Sequence, residues 1–164
     1  LVTEGLVKDI GVSNFSSALI WELDKVAKKP ISVNQVELHP FLAQNALCNL
    51  CESKDIQITA YSSLASLSYE NYGIYKHLPS LLETPEIQGM AAKYKATPAQ
   101  ILLSWAVNTR NVAVIPKTNH IQRLRENLHF TQITLDEDDV HIIDNFDRGL
   151  RFNDQTLTWG ISIF

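Results

Sequence analysis

The sequence has 164 residues, 45% of them hydrophobic, with a formal net charge of −4 and a pI of about 5.7. That length suits one compact domain with a sizeable core. The acidic balance argues against a nucleic-acid partner, which asks for a basic surface, and no apolar run approaches the roughly 20 residues of a membrane span. Two cysteines without a disulfide framework point to a reducing, cytoplasmic setting, and no signal peptide is visible. The first residue is Leu1 rather than Met, so the chain reads as a stretch from inside a longer polypeptide.

Leu1–Val7 reads as the end of a helix closed at Gly5. Lys8–Phe15 (KDIGVSNF) is a strand, followed by a helix over Ser16–Lys29 with an apolar stripe of Leu19, Ile20, Leu23, Val26 and Ala27, capped by Ser16 or Ser17 and stopped at Pro30. Ile31–Leu38 (ISVNQVEL) is a second strand, His39-Pro40 a turn, and Ala43–Ser53 a second helix. Gln57–Ser62 (QITAYS) is a third strand. Leu64–Pro85 has no clear period, and a connection that long is usually functional or partly helical. Glu86–Lys95 and Pro98–Asn108 are helices, the second opened by Thr97 as cap and Pro98 at the first position. Leu135–Phe146 is a last helix capped by Asp136, and Arg148–Phe164 an aromatic-tipped tail.

The stretch Val112–Asn127 (VAVIPKTNHIQRLREN) carries the most chemistry. Val112, Val114 and Ile115 form a short β-branched strand ended by Pro116. Asn119 then starts a helix, with Gln122 placed as in a capping box. A strand running into a helix N-terminus leaves backbone N–H groups pointing outward, which is an anion site before any side chain is counted. Lys117 and Thr118 occupy the turn, Arg123 and Asn127 share a helix face, and Arg125 is close by. Basic residues in the first turns oppose the helix dipole, a placement that an anion would explain. A phosphate clamp and a solvated basic helix end both fit.

Four strand-helix units in succession mean parallel strands joined by right-handed crossovers. Such a sheet is covered on both faces or closed into a barrel. Closure takes eight strands and typically about 250 residues, so the chain is a small open α/β sheet or half of a barrel. Cys48 and Cys51 form a CxxC in mid-helix, where buried thiols are expected rather than a zinc or redox site. His39 reads as a structural loop residue at a strand end. His77, His120, His129 and His141 form no constellation, and Glu137-Asp138-Asp139 complements a helix dipole rather than a metal. Trp21 and Trp105 are expected in the core.

GVSNF (Gly11–Phe15), NQVELHP (Asn34–Pro40), AYSSL (Ala60–Leu64) and VIPKTNHIQRLREN (Val114–Asn127) come in that order, each at the end of a successive strand. Together they resemble the second half of an aldo-keto reductase. RFND (Arg151–Asp154), followed by Trp159, is most similar to the fungal xylose reductases and related aldose reductases within that family.

The resemblance implies half of a (β/α)8 TIM barrel that binds NADPH, with NADH the second candidate, across the carboxyl ends of its strands. On matching positions, Ser13, Asn14 and Gln35 would hold the nicotinamide carboxamide, Tyr61 would stack on the ring, and Ser62, Leu64 and Ser66 would follow the pyrophosphate. Ile115, Lys117, Thr118, Asn119 and Arg123 would meet the adenosine and its 2′-phosphate, with Glu126 and Asn127 at the adenine. Asn153 and Trp159 would line a pocket for a small aldehyde or sugar, closed by the tail to Phe164. The family often has Pro at Ser63 and has Gly at Ala65, where glycine lets backbone approach phosphate.

The proton-donating Tyr of such reductases, with its Lys, Asp and His, lies on strands that precede this stretch, so no catalytic residue is assigned here. Tyr69, Tyr72, Tyr75 and Tyr94 lack a placed assisting group. Joined to a first half, the chain would be an NAD(P)H-dependent reductase of aldehydes or aldoses. Alone, it would be an inactive nucleotide-binding or interaction module. Its two edge strands and one apolar sheet face would then favour pairing with an N-terminal half-barrel or with itself.

Overall fold

Short β-branched runs alternate with helices, and in the computed structural model, which describes residues 1–65, 80–154 and 160, each run becomes a strand of one parallel sheet. The strands are β1 (Gly11–Ser13), β2 (Val33–Glu37), β3 (Gln57–Tyr61) and β4 (Ala113–Val114), paired in sequence order. Their register sets Ser13 beside Gln35, Gln35 beside Thr59, Glu37 beside Tyr61, and Thr59 beside Ala113. At Gly11 the strands approach so closely that a Cβ would sit 2.8 Å from the Val33 carbonyl oxygen, which excludes any side chain there.

The crossovers are α1 (Ser17–Asp24), α2 (Asn45–Ser53), and the pair α3 (Pro85–Lys93) and α4 (Pro98–Ser104), the last running on as a π-helical turn over Trp105–Thr109. After β4 come α5 (Ile121–Leu128) and α6 (Glu137–Asp144). The expected caps at Ser16, Thr97 and Asp136 form: each side chain accepts from an N–H of the first turn, and Thr97 with Gln100 makes a full capping box. The expected closure at Gly5 forms: with Gly5 at φ 72°, its N–H reaches the Val2 carbonyl and the Leu6 N–H reaches the Leu1 carbonyl, both at 3.0 Å, the bond pattern of a helix C-terminus. The helices pack on one face of the sheet, where Val36, Ile58 and Ala60 meet Ile20, Leu47, Cys51, Leu102 and Trp105.

The structure departs from the sequence reading in four places. α1 stops at Asp24, not near Lys29, so Val26 falls past its end and is exposed. Trp21 is not core: it is 53% exposed, with the Lys54 ammonium 3.8 Å above its ring, because Ile20 takes the inward position of α1. The helix after β4 does not start at Asn119. His120 is its extended N-cap and α5 begins at Ile121, while the Thr118 hydroxyl accepts the His120 N–H at 3.1 Å.

The fourth departure concerns the uncovered sheet face, which is polar. Side chains alternate along a strand, and the residues opposite the helices include Ser13, Gln35, Gln57, Thr59 and Tyr61. Exposed large apolar residues sit instead around the two edge strands: Leu6, Val7 and Ile10 before β1, Leu19 on α1, and Ile115, Ile121, Leu124 and Leu128 at and after β4.

α6 docks through a charged cluster. Lys93 Nζ contacts Asp136 at 2.5 Å and Asp139 at 2.8 Å, and the Tyr94 hydroxyl donates to Asp139 and accepts from the Asp136 N–H. The Lys93 ammonium holds the Asp136 carboxyl below the ordinary value of 3.8. A depressed carboxyl pKa adds stability above the unfolded value, and that contribution is lost as pH falls through the folded one. Thermal melts between about pH 6 and pH 2 should therefore lose stability below about pH 4, and Asp136→Asn, which keeps a capping oxygen, should flatten that part of the profile.

Candidate functional site

Because all four strands run the same way, the loops after them open on one rim. At the β1 exit Asn14 takes a left-handed conformation, φ 58°. Asn34, wholly buried on β2, holds this bend: its Nδ2 donates to the Phe15 carbonyl at 2.9 Å and its Oδ1 accepts the Phe15 N–H at 3.4 Å. The Gln35 carbonyl accepts from the Asn14 N–H and from the Ser13 hydroxyl, both at 2.9 Å. The Tyr61 hydroxyl donates to Asn14 Oδ1 at 3.0 Å, tying the β3 exit to the β1 exit. Ser13, Asn14, Gln35 and Tyr61 thus come from three strands to one patch.

From Tyr61 a groove of about 510 Å³ continues to the start of α5. One wall is Ser62, Ser63 and Leu64; the other is Ile115, Lys117, Thr118, Asn119 and Arg123. Ser62 and Ala65 take left-handed angles, φ 54° and 45°, and the Ala65 N–H closes on the Ser62 carbonyl, so alanine adopts the conformation for which glycine is the easier residue. The Ser63 hydroxyl is buried in this wall and has no hydrogen-bond partner among the described residues. The cap residue of α5 makes no side-chain cap bond, so first-turn N–H groups remain at the end of the groove beside Lys117 and Arg123. A polar amide patch at one end, a tight turn with an unmet hydroxyl, and two cations at a helix start suit an elongated ligand with a phosphate at its far end.

The remaining expected residues divide. Glu126 and Asn127 are half-buried on α5 and do not line the groove; the Glu126 carbonyl accepts from Gln100 Nε2. Ser66, Trp159 and Phe164, and the tyrosines Tyr69, Tyr72 and Tyr75, lie outside the described residues. Asn153 lies at the open sheet face, where its N–H donates to Glu37 Oε2 at 2.9 Å. Asn34 and Glu37 were not singled out from the sequence. The available signal was the polar run Asn34, Gln35 and Glu37 inside an otherwise β-forming segment.

Tyr94 is committed to Asp139 and Asp136, and burial pushes its phenol pKa up. Cys48 and Cys51 are free thiols whose pKa values burial raises, as inert structural cysteines require. Among the described residues no group of three or more His, Cys, Asp or Glu could hold a metal, and no helix is long and apolar enough to cross a membrane.

A helix-backed parallel sheet of four strands whose loops meet on one rim has the layout of half of a (β/α)8 barrel. The aldo/keto reductase family model matches residues 1–148, and the chain belongs to that family. An NAD(P)H-dependent D-xylose reductase of Pachysolen tannophilus is 44% identical over 162 residues, covering 97% of this chain and 50% of its own. A probable NAD(P)H-dependent D-xylose reductase of Aspergillus niger is 40% identical over 156 residues, 94% of this chain and 49% of its own. Among solved structures, an aldo-keto reductase complexed with NADPH superposes with a TM-score of 0.88 at 28% identity, covering 99% of this chain and 49% of that one. Aldose reductase from Giardia lamblia gives 0.86 at 33%, covering 100% and 53%. The chain spans about half the length of these relatives.

The buried Asn34 amide generates a prediction. Asn34→Ala removes both bonds to Phe15 and should destabilise the fold by about 1–3 kcal/mol in urea unfolding, with the largest chemical-shift changes at Ser13–Phe15.

Proposed function

We propose that this chain holds NADPH along the strand rim and forms the cofactor-binding half of an NAD(P)H-dependent reductase of aldehydes or aldoses. The observation that supports this most is the continuous groove between Tyr61 and Arg123, which joins a patch suited to a carboxamide to a pair of cations suited to a phosphate. Ser13, having given its proton to the Gln35 carbonyl, offers lone pairs to the carboxamide NH₂, and the Asn14 and Gln35 amides supply donors for its carbonyl. Tyr61, held at its hydroxyl by Asn14, presents a ring for stacking. Ser62–Ala65 would follow the pyrophosphate, with the Ser63 hydroxyl free to donate, and Lys117, Asn119 and Arg123 would receive the adenosine 2′-phosphate. NADPH, when bound, supplies the hydride. The two free cysteines suit a cytoplasmic location.

The acid for the carbonyl oxygen is assigned to the earlier strands of the family's barrel, as the resemblance implies, and the two described tyrosines, Tyr61 and Tyr94, both have their hydroxyl protons engaged. We therefore read the chain alone as a nucleotide-binding unit without turnover. The exposed apolar side chains around β1 and β4 support the further reading that it pairs with a complementary half-barrel or with itself.

Titration with NADPH should give saturable quenching of tyrosine or tryptophan fluorescence; a flat titration would overturn the reading. Arg123→Ala should weaken NADPH by roughly 1.5–3 kcal/mol, the worth of one charged hydrogen bond, and leave NADH nearly unchanged, whereas equal losses would remove Arg123 from the phosphate site. In gel filtration the isolated chain should run as a dimer or larger species, and a monodisperse, cooperatively melting monomer would contradict the pairing.

A further inference from the structure

We propose that Glu37 and His39 form a latch that positions the segment Phe152–Asn153 on the strand rim, making Glu37 a positioning residue for the substrate side of the site. The inference rests on the reading of Asn153 as a substrate-pocket residue. Glu37 ends β2 on the open sheet face, two residues beyond Gln35 and in register with Tyr61. Its neighbours Gln35, Thr59 and Tyr61 keep some exposure, whereas Glu37 has none. What covers it is the tail. Glu37 Oε1 accepts the Phe152 N–H at 2.7 Å and Oε2 accepts the Asn153 N–H at 2.9 Å. His39 Nε2 lies 3.0 Å from Oε1, and its imidazole is also wholly buried.

A carboxylate only accepts hydrogen bonds, and three donors converge on this one. Burying a carboxylate is costly unless such partners are present, so its place under the tail is poorly explained as packing alone. His39 Nδ1 has no partner among the described residues, so Nε2 is the ring nitrogen that meets Glu37, and facing a carboxylate it donates. The His39 ring lies 5.0 Å from that of Phe152, and its backbone is pinned by paired bonds with Leu42. Upstream, the Arg148 and Leu150 N–H groups both reach the Phe41 carbonyl, so the chain leaving α6 is held at Phe41 and then at Glu37. Gln35 of the same strand belongs to the proposed carboxamide patch, so one strand would serve the cofactor with one side chain and the tail with the next one on that face.

Amide hydrogen exchange on the full chain, with NADPH titration alongside, tests the latch. Glu37→Gln keeps the shape but turns an NH₂ toward one tail N–H. Protection of the Phe152 and Asn153 amides should fall roughly tenfold or more, while Val36 and Leu38 stay within about twofold and NADPH affinity is unchanged. His39→Gln, which keeps a donor, should retain more tail protection than His39→Leu. Unchanged tail protection in Glu37→Gln, or a loss shared equally by the whole sheet, would overturn the latch. Failure of the unsubstituted chain to bind NADPH would instead overturn the cofactor reading and leave the latch standing on its exchange data.

Discussion

Everything on the candidate site depends on the strands being parallel and in one register. Each crossover returns the chain to the same end of the sheet, so Asn14, Ser62 and Lys117, far apart in sequence, follow strand ends on a common rim. A slip of one residue would turn Ser13, Gln35 and Tyr61 toward the helices and send Val12, Asn34 and Ala60 to the open face. The close approach at Gly11, where a Cβ would strike the Val33 carbonyl, helps hold the register between β1 and β2.

The rim is shaped by polar groups that are buried only because they are paired. Asn34 lends its amide to the Phe15 backbone where Asn14 leaves the strand direction, and Glu37 does the same for the tail. Three non-glycine residues with left-handed angles, Asn14, Ser62 and Ala65, stand at these exits, while Gln44, Asp55, Lys95 and Asn111 take such angles elsewhere. Such conformations persist where surrounding bonds over-determine them, and they gather where backbone must present groups to a ligand.

The two faces of the sheet obey different rules. Against the helices, Val36, Ile58 and Ala60 make a dry core. On the other face, Ser13, Gln35, Thr59 and Tyr61 are too polar for a second helical layer. The unpaired apolar surface lies at the margins, on α5 and before β1, where a closed barrel has neighbouring helices.

The alternation of β-branched runs with amphipathic segments, the caps at Ser16, Thr97 and Asp136, and the strand-end motifs were legible in the sequence because they are local: each depends on residues within a few positions of one another. The family and the half-barrel architecture followed from their order. Less legible were the start of α5, where the chain past Asn119 stays extended through His120, and the place of Trp21, which lies over Lys54 rather than in the core. The sequence alone thus determined which residue types stand at each strand end, since that information is carried along the chain. Only the tertiary structure decided that Glu37 reaches a tail more than a hundred residues away, that Asn34 locks the bend at Phe15, and that the open face is polar. Those outcomes depend on which strands lie side by side, and no local preference encodes that.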